Sequence, residues 1–448
     1  MTYGVFDPLL EEHSYDVTEI DGTVPRELHG TLYRNGPGKW QVGTTLLDCI
    51  FDGDGMVSRF TFDQGRVGFR NRYLRTPQYR SKRRWRAGVG TSTGVPMPPT
   101  NTANTNLSFH AGDLLALWEG GKPTRVDPDT LETYGLHDFG GRLKGLGMWS
   151  AHPRFDPATG EMFNFGLRFL PTPGINCYRV DPAGRMTLIA SVRVRGLSWN
   201  HDFGLTERHL VFVLSPTLPD VGGILRGRSA VSSLNYFPDL PTRFLLVPRD
   251  GGPPRIVEHE AMVGTHITNA YEDGPDTVVE LVRYPDWEPL KADLLNFRDR
   301  FHLTRPSSLV RYRVAAGKVT EEELADHPCE LPQFDWRRSS TRHRFSYLSG
   351  HHGTEGFFDA VLKVDHDTGA VTSHVLGDCV GEPVFVPRSE DSAEDDGWLL
   401  SVVYQAARHR SGLAVLDARS LDLVATAWLP HHIPYGFHGG FTTRLPAA

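Results

Sequence analysis

The sequence predicts an all-β protein, a β-propeller of small antiparallel sheets set around an axis. Three observations predict it: a strand–turn–strand unit recurs along the whole length, helical amphipathic periodicity is nearly absent, and no Pro/Gly/Ser-rich linker divides the chain. In order, the units begin with Phe60-Thr-Phe-Asp-Gln-Gly-Arg-Val, Thr124-Arg-Val-Asp-Pro-Asp-Thr-Leu, Arg154-Phe-Asp-Pro-Ala-Thr-Gly-Glu and Tyr178-Arg-Val-Asp-Pro-Ala-Gly-Arg. Leu246-Val-Pro-Arg-Asp-Gly-Gly, Tyr312-Arg-Val-Ala-Ala-Gly-Lys, Lys363-Val-Asp-His-Asp-Thr-Gly and Val415-Leu-Asp-Ala-Arg-Ser-Leu continue the series. Gly, Asp and Asn tolerate the positive φ of tight hairpins, which gives these turns their mechanism. Separate sandwiches would share the hairpins but need linkers, so residues 1–448 are expected to form one domain.

Helical character is expected at Lys291–Arg300 and Val221–Leu234, as excursions capping one face of the disc. The basic run Arg80-Ser-Lys-Arg-Arg-Trp-Arg reads as a solvated loop, with a membrane surface or an anionic ligand as the other option. The acidic run Glu390-Asp-Ser-Ala-Glu-Asp-Asp reads as a solvent loop between strands.

Composition narrows the function. The 448 residues are 39% hydrophobic and 23% charged, the profile of a soluble globular protein. With 47 Lys+Arg against 54 Asp+Glu the formal charge is −7, which argues against a nucleic-acid partner. The stretch Met1–Pro8 has neither a basic head nor an apolar run, and nowhere do apolar residues run long enough to span a membrane. The scattered cysteines, Cys49, Cys177, Cys329 and Cys379, read as buried reduced thiols of a cytoplasmic protein.

Familiar catalytic signatures are absent. Gly88-Val-Gly-Thr-Ser-Thr-Gly lacks dinucleotide-loop spacing, and Asp52-Gly-Asp-Gly reads as a tight turn rather than a calcium loop. There is no Walker loop, H-E-x-x-H or G-x-S-x-G. Histidine remains, with 20 in the chain. The adjacent pairs His351/His352 and His431/His432 would point to opposite faces of a strand, His409 sits in a polar loop and His13 in the N-terminal arm. Four others stand in tight turn contexts: Ser150-Ala-His152-Pro, Trp199-Asn-His201-Asp-Phe, Gly264-Thr-His266-Ile-Thr-Asn and Tyr435-Gly-Phe-His438-Gly.

These four lie 49, 65 and 172 residues apart, too far for one loop but suited to one inward ligand from each of four blades. Imidazole suits Fe, Zn, Cu or Ni, so the ligand set alone does not name the metal. Zinc favours a closed tetrahedron, whereas ferrous iron takes six ligands and would keep two positions open. Each ligand also needs an acceptor for its other ring N–H. Glu119, Glu330 and Glu382 are candidates, since an unpaired Glu is not buried cheaply in the apolar segments where they stand.

The sequence resembles the carotenoid cleavage oxygenases. Leu32-Tyr-Arg-Asn-Gly-Pro, Phe51-Asp-Gly-Asp-Gly-Met, Asn104-Thr-Asn-Leu, Ala116-Leu-Trp-Glu and Ser150-Ala-His-Pro-Arg-Phe-Asp-Pro carry the likeness in family order. His201-Asp-Phe, His266-Ile-Thr-Asn-Ala-Tyr-Glu, Glu382-Pro-Val-Phe-Val-Pro-Arg and Pro434-Tyr-Gly-Phe-His-Gly complete it. The resemblance implies a seven-bladed propeller with a small helical cap over its top face. It implies ferrous iron, Fe(2+), on His152, His201, His266 and His438, with three of these bonded to Glu119, Glu330 and Glu382. Thr105 matches the position that crowds one open iron site. The implied chemistry is cleavage of a carbon–carbon double bond by O2 into two carbonyl products without an added reductant.

Two departures stand out. Cys49-Ile50 replaces the His that many members carry before the Phe-Asp-Gly-Asp-Gly turn, at a position that holds no iron. Trp118 replaces the Lys with which stilbene-cleaving members bind a phenol oxygen, and offers a flat apolar wall for a polyene instead. The expected substrate is therefore an apolar conjugated molecule, as in the bacterial apocarotenoid-cleaving branch. A stilbene- or phenylpropene-cleaving oxygenase and a non-catalytic lipid-binding or interaction platform are the rival readings. A monomer is expected. The cap around Val221–Tyr236, with Ile224, Leu225, Val231 and Leu234 beside Arg226 and Arg228, reads either as a peripheral membrane contact or as ordinary cap packing.

Overall fold

In the computed structural model, which describes residues 4–81, 101–145, 147–169, 171–220, 222–223, 229–298, 307–352 and 357–447, antiparallel sheets form a seven-bladed propeller. Blade one orders its strands outward from Asn106–His110 through Asp113–Leu117 and Thr124–Val126 to Thr133–Leu136. Blades two to five repeat the scheme, with inner strands Arg154–Phe155, Gly204–Leu205, Val263–Asp273 and Cys329–Phe334. Blade six begins with Cys379–Val380 and Val384–Pro387, and blade seven has Gly439–Thr442 innermost.

The ring closes by exchange between the ends of the chain. Gly439–Thr442 pairs with Gly30–Lys39, placing Thr31 opposite Thr442. Glu19–Gly22 adds an outer strand to blade six, with Glu19 opposite Trp428, and Ser14–Asp16 does the same for blade seven. Every strand–turn–strand unit named from the sequence joins two paired strands, while Asp52-Gly-Asp-Gly leads from the 3₁₀ turn Ile50–Asp52 into Asp54–Asp63. The Phe60–Val67 unit is the clearest, since Gln64 and Gly65 both take positive φ between Asp54–Asp63 and Arg66–Tyr73.

Apolar side chains fill the seams between blades. Phe165, Phe203 and Phe212 pack blade two on blade three, while Phe60, Trp398 and Leu413 pack blade six on blade seven. All four cysteines are buried and unpaired, as expected. The cap packs on blades four and five, where Trp287 and Leu294 join Tyr284, Leu331 and Leu348. No described helix is long and apolar enough to cross a membrane.

Helical content differs from expectation in detail. The helix is Trp287–Leu295, starting before Lys291 because Asp286 caps it by accepting the N–H of Glu288. In the second expected helical region, Val231–Ser233 is a single 3₁₀ turn leading into Leu234–Tyr236, which pairs with Thr217–Pro219. Val231 and Leu234 are buried in the cap core, so these two side chains belong to cap packing. Ile224, Leu225, Arg226 and Arg228 lie outside the described residues, as do Gly88–Gly94 and all of the basic run beyond Ser81. Residues 388–396 form a loop between strands, but Glu394 accepts the N–H groups of Arg344 and Phe345, so the acidic run is partly structural.

Candidate metal centre

Each inner strand starts near the axis on one side of the disc. His152 stands two residues before Arg154–Phe155, His201 just before Gly204–Leu205, His266 inside Val263–Asp273 and His438 directly before Gly439–Thr442. Their Nε2 atoms converge: His152 to His201 is 2.9 Å, His201 to His266 3.0 Å and His266 to His438 3.2 Å. All four ligand atoms lie within 4.8 Å of one another.

The remaining blades supply the acceptors. Glu119 Oε1 meets His201 Nδ1, Glu330 Oε2 lies 2.5 Å from His266 Nδ1 and Glu382 Oε1 2.9 Å from His438 Nδ1. An ionised carboxylate only accepts, so when these three rings are neutral the proton sits on Nδ1 and the Nε2 lone pair points inward. Lone pairs facing each other across about 3 Å repel, and a cation between them reverses the sign. Neighbouring corners of an octahedron with metal–nitrogen bonds of about 2.1 Å are about 3.0 Å apart, against about 3.4 Å for a tetrahedron. The edges of 2.9 and 3.0 Å suit the octahedron and that of 3.2 Å lies between the two, so the residues fit a divalent transition metal.

The electrostatics agree. Burial and the adjacent imidazoles push the basicity of His152 well below its ordinary value, and burial brings His438 down to about 4 despite Glu382. Burial also works against a charged His266, but Glu330 outweighs it and raises that ring. Glu330 and Glu382 are held down at about 2 against the cost of burial, by His266 in the first case and by Arg34 and His438 in the second. The centre thus favours one positive charge, which a bound cation supplies in place of a proton.

Several supports carry no catalytic signature in the sequence. Arg34 donates to Glu382 Oε2 at 2.5 Å and to the Phe437 carbonyl at 2.7 Å. Arg154, buried beneath His152, donates to Asp202 at 2.6 Å and to the Phe203 and Ile267 carbonyls, tying three ligand-bearing strands together. Thr265 and Gln333 donate to Glu330 and Glu382, at 2.6 and 2.8 Å. Arg34, Arg154 and Asp202 lie inside the motifs quoted above, but their roles depend on partners far away in sequence. Replacing Glu330 with Ala, which frees the His266 Nδ1–H, is expected to weaken metal binding about 10–100-fold in a chelator competition titration.

Above the cluster lies a cavity of about 170 Å³, reached by His201, His266 and His438 and walled by Phe51, Trp199, Leu281, Leu331, Phe358 and Phe437. Thr105 lines it and its carbonyl accepts the His438 N–H. Trp118 does not line it: its ring lies over the Gly120–Gly121 turn, so the apolar wall expected from Trp118 is supplied by other aromatics. No Lys or Arg lines this cavity among the described residues.

A second buried group, Glu280, His343 and His366, sits in the seam between blades four and five and was not singled out by sequence. Its protons argue against a metal. Arg311 donates to Glu280 at 2.8 Å and to His366 Nδ1 at 3.2 Å, so His366 presents an N–H to Ser346. Asn269, fixed by the Ser340 N–H and the Thr341 carbonyl, donates to His343 Nδ1, so His343 likewise presents Nε2–H toward Ser346 and Glu280. Burial lowers His343 to about 3 and keeps it neutral. Arg311 occupies the cation's role.

The family profile of the retinal pigment epithelial membrane protein matches residues 6–443. Apocarotenoid-15,15'-oxygenase of Synechocystis sp. is 35% identical, with 96% of this chain and 94% of that protein covered. Resveratrol cleavage oxygenase 1 of Aspergillus fumigatus is 30% identical, with coverage of 98% and 94%. The structure of the cobalt-substituted Synechocystis enzyme superposes with a TM-score of 0.88 at 32% identity, covering 98% of both chains.

Proposed function

Because the chain belongs to the carotenoid oxygenase family of the retinal pigment epithelial membrane protein, and is an enzyme, we propose that it is a non-haem iron dioxygenase cleaving a carbon–carbon double bond of an apocarotenoid or carotenoid. The single propeller domain, 1–448, would present His152, His201, His266 and His438 to Fe(2+), which supplies O2 activation when bound. The observation that carries the substrate class is the cavity: it adjoins three of the four imidazoles, its walls are mainly aromatic and aliphatic, and no described cation lines it.

The chain's own residues then divide the work. Glu119, Glu330 and Glu382 hold the Nδ1 protons of His201, His266 and His438 and so aim three of the four lone pairs. Phe51, Trp199, Phe358 and Phe437 bury the polyene and exclude water, leaving the reacting bond beside the imidazole cluster. Thr105 narrows the space next to His438. No side chain is required as a general base, because the products differ from the substrates by the two oxygen atoms of O2 alone.

The Fe(II)-loaded protein is expected to bleach apocarotenals and release two aldehydes identifiable by mass spectrometry, while 4-hydroxystilbenes and isoeugenol turn over far more slowly. Faster stilbene turnover would move the protein to the phenol-cleaving branch. Stoichiometric iron with no turnover of any olefin would leave the lipid-binding platform.

A further inference from the structure

We propose that the wider and more polar of the two axial cavities is the passage by which the hydrated metal cation enters and leaves the imidazole cluster, while the smaller, more apolar cavity receives substrate. The inference rests on reading that cluster as a metal site.

The topology divides the axis at the ligands. From each ligand the inner strand runs the same way, so Pro153–Phe155, Asp202, Ile267 and Gly439–Thr443 surround the axis on the side away from the cap. Between them lies a cavity of about 450 Å³ that touches His152, His266 and His438. Its outer end reaches exposed Thr443 and half-buried Pro387.

The lining mixes apolar side chains, Leu107, Phe109, Phe155, Phe385 and Phe441 among them, with polar groups, and the cavity is wide enough for a cation that keeps its water. Asn106, Gln333, Asp335 and Thr442 offer oxygen and amide groups along the passage. Its charges are matched within short pairs: Arg154 with Asp202 at 2.6 Å, Arg337 with Asp335 at 2.7 Å, and Glu382 with Arg34. A passage wide enough to hold water, with its charges paired, neither strips a dication nor traps it. The opposite route differs. Drawing a dication past Phe51, Trp199 and Phe358 would cost it hydration that this apolar wall does not replace.

Gly440 makes the passage testable. It lines the wider cavity, its φ lies outside the left-handed region, and a Cβ built on it meets no atom within 4 Å. Gly440→Leu and Gly440→Phe should therefore obstruct the passage in proportion to size without touching a ligand. Cobalt-loaded protein is followed by the d–d absorbance of Co(II) as a chelator removes the ion, and again as the stripped protein is reloaded. Release and uptake are expected to slow about tenfold or more in Gly440→Phe and less in Gly440→Leu, with final stoichiometry and spectrum unchanged. Leu290→Trp, which fills the apolar cavity from the cap helix, is expected to leave both rates unchanged. Equal rates in the Gly440 variants and wild type, or equal slowing in Leu290→Trp, overturn the proposal. A wild-type protein that holds no stoichiometric cobalt overturns the metal-site reading first.

Discussion

Replacing His266 with Ala is expected to strip the protein of stoichiometric iron and to lower polyene turnover by about a thousandfold or more, since a bound metal supplies several kcal/mol of stabilisation. His266 is the ligand to remove because it stands between two others, 3.0 Å from His201 and 3.2 Å from His438. Its loss also leaves Glu330 buried beside Thr265 with no imidazole opposite. The checks are iron per chain by elemental analysis and initial rates under iron-saturating conditions. His351 provides the contrast. It too is buried, but it lies outside the converging group, so His351→Ala should retain full iron occupancy. Iron retained in His266→Ala, with turnover intact, would sink the assignment of the centre.

The second large effect concerns stability rather than chemistry. Glu280→Gln is expected to destabilise the fold by about 3 kcal/mol, because it breaks a buried ion pair from one side and leaves Arg311 with only the exposed Glu322 opposite. Burial opposes the charged form of Glu280, yet His343, His366 and Arg311 together hold its carboxyl at about 2, below its usual 4.5. A depressed carboxyl contributes stability that is present above the unfolded value and is lost as pH falls through the folded one. The wild type should therefore lose this contribution between about pH 4.5 and 2, and the Gln variant should show a flatter acid profile over that window. Urea midpoints measured at neutral pH and at pH 3 decide it. Iron content should stay at one per chain in both proteins. A second equivalent of metal in the wild type, absent from the variant, would show that the tautomers were misassigned.

The sequence made legible what is local and what is carried by motif. Hairpin turns announced themselves through Gly and Asp, and every one named joins paired strands. The four imidazoles and Glu119, Glu330 and Glu382 were separable from the other histidines and acids by their tight or apolar contexts, and the structure brings all seven together. What stayed hidden is what only the closed ring creates. Arg34 acts on a glutamate 348 positions away, and nothing in Leu32-Tyr-Arg-Asn-Gly-Pro announces that partner. His343 and His366 sit in ordinary strand-edge contexts and acquire meaning only when Glu280 and Arg311 of the adjoining blade face them. Trp118 follows the same logic in reverse: its neighbour Glu119 reaches the centre, but the indole itself turns onto Gly120 and Gly121. Residue type indicated its chemistry, and the turn after Leu117 decided where the ring went.

The splice between the two ends of the chain has a consequence for biosynthesis. During translation three of the four donors emerge early enough to meet while the ribosome is still at work, yet the fourth, His438, is placed by Asn35 and Thr105, whose backbones it bonds on either side. Gly439–Thr442, which follows every other ligand-bearing segment in the chain, is thus the strand that zips onto Gly30–Lys39 and carries the fourth imidazole into position. A chain cut short before His438 is therefore expected to lack both the strand that seals the ring and the fourth donor.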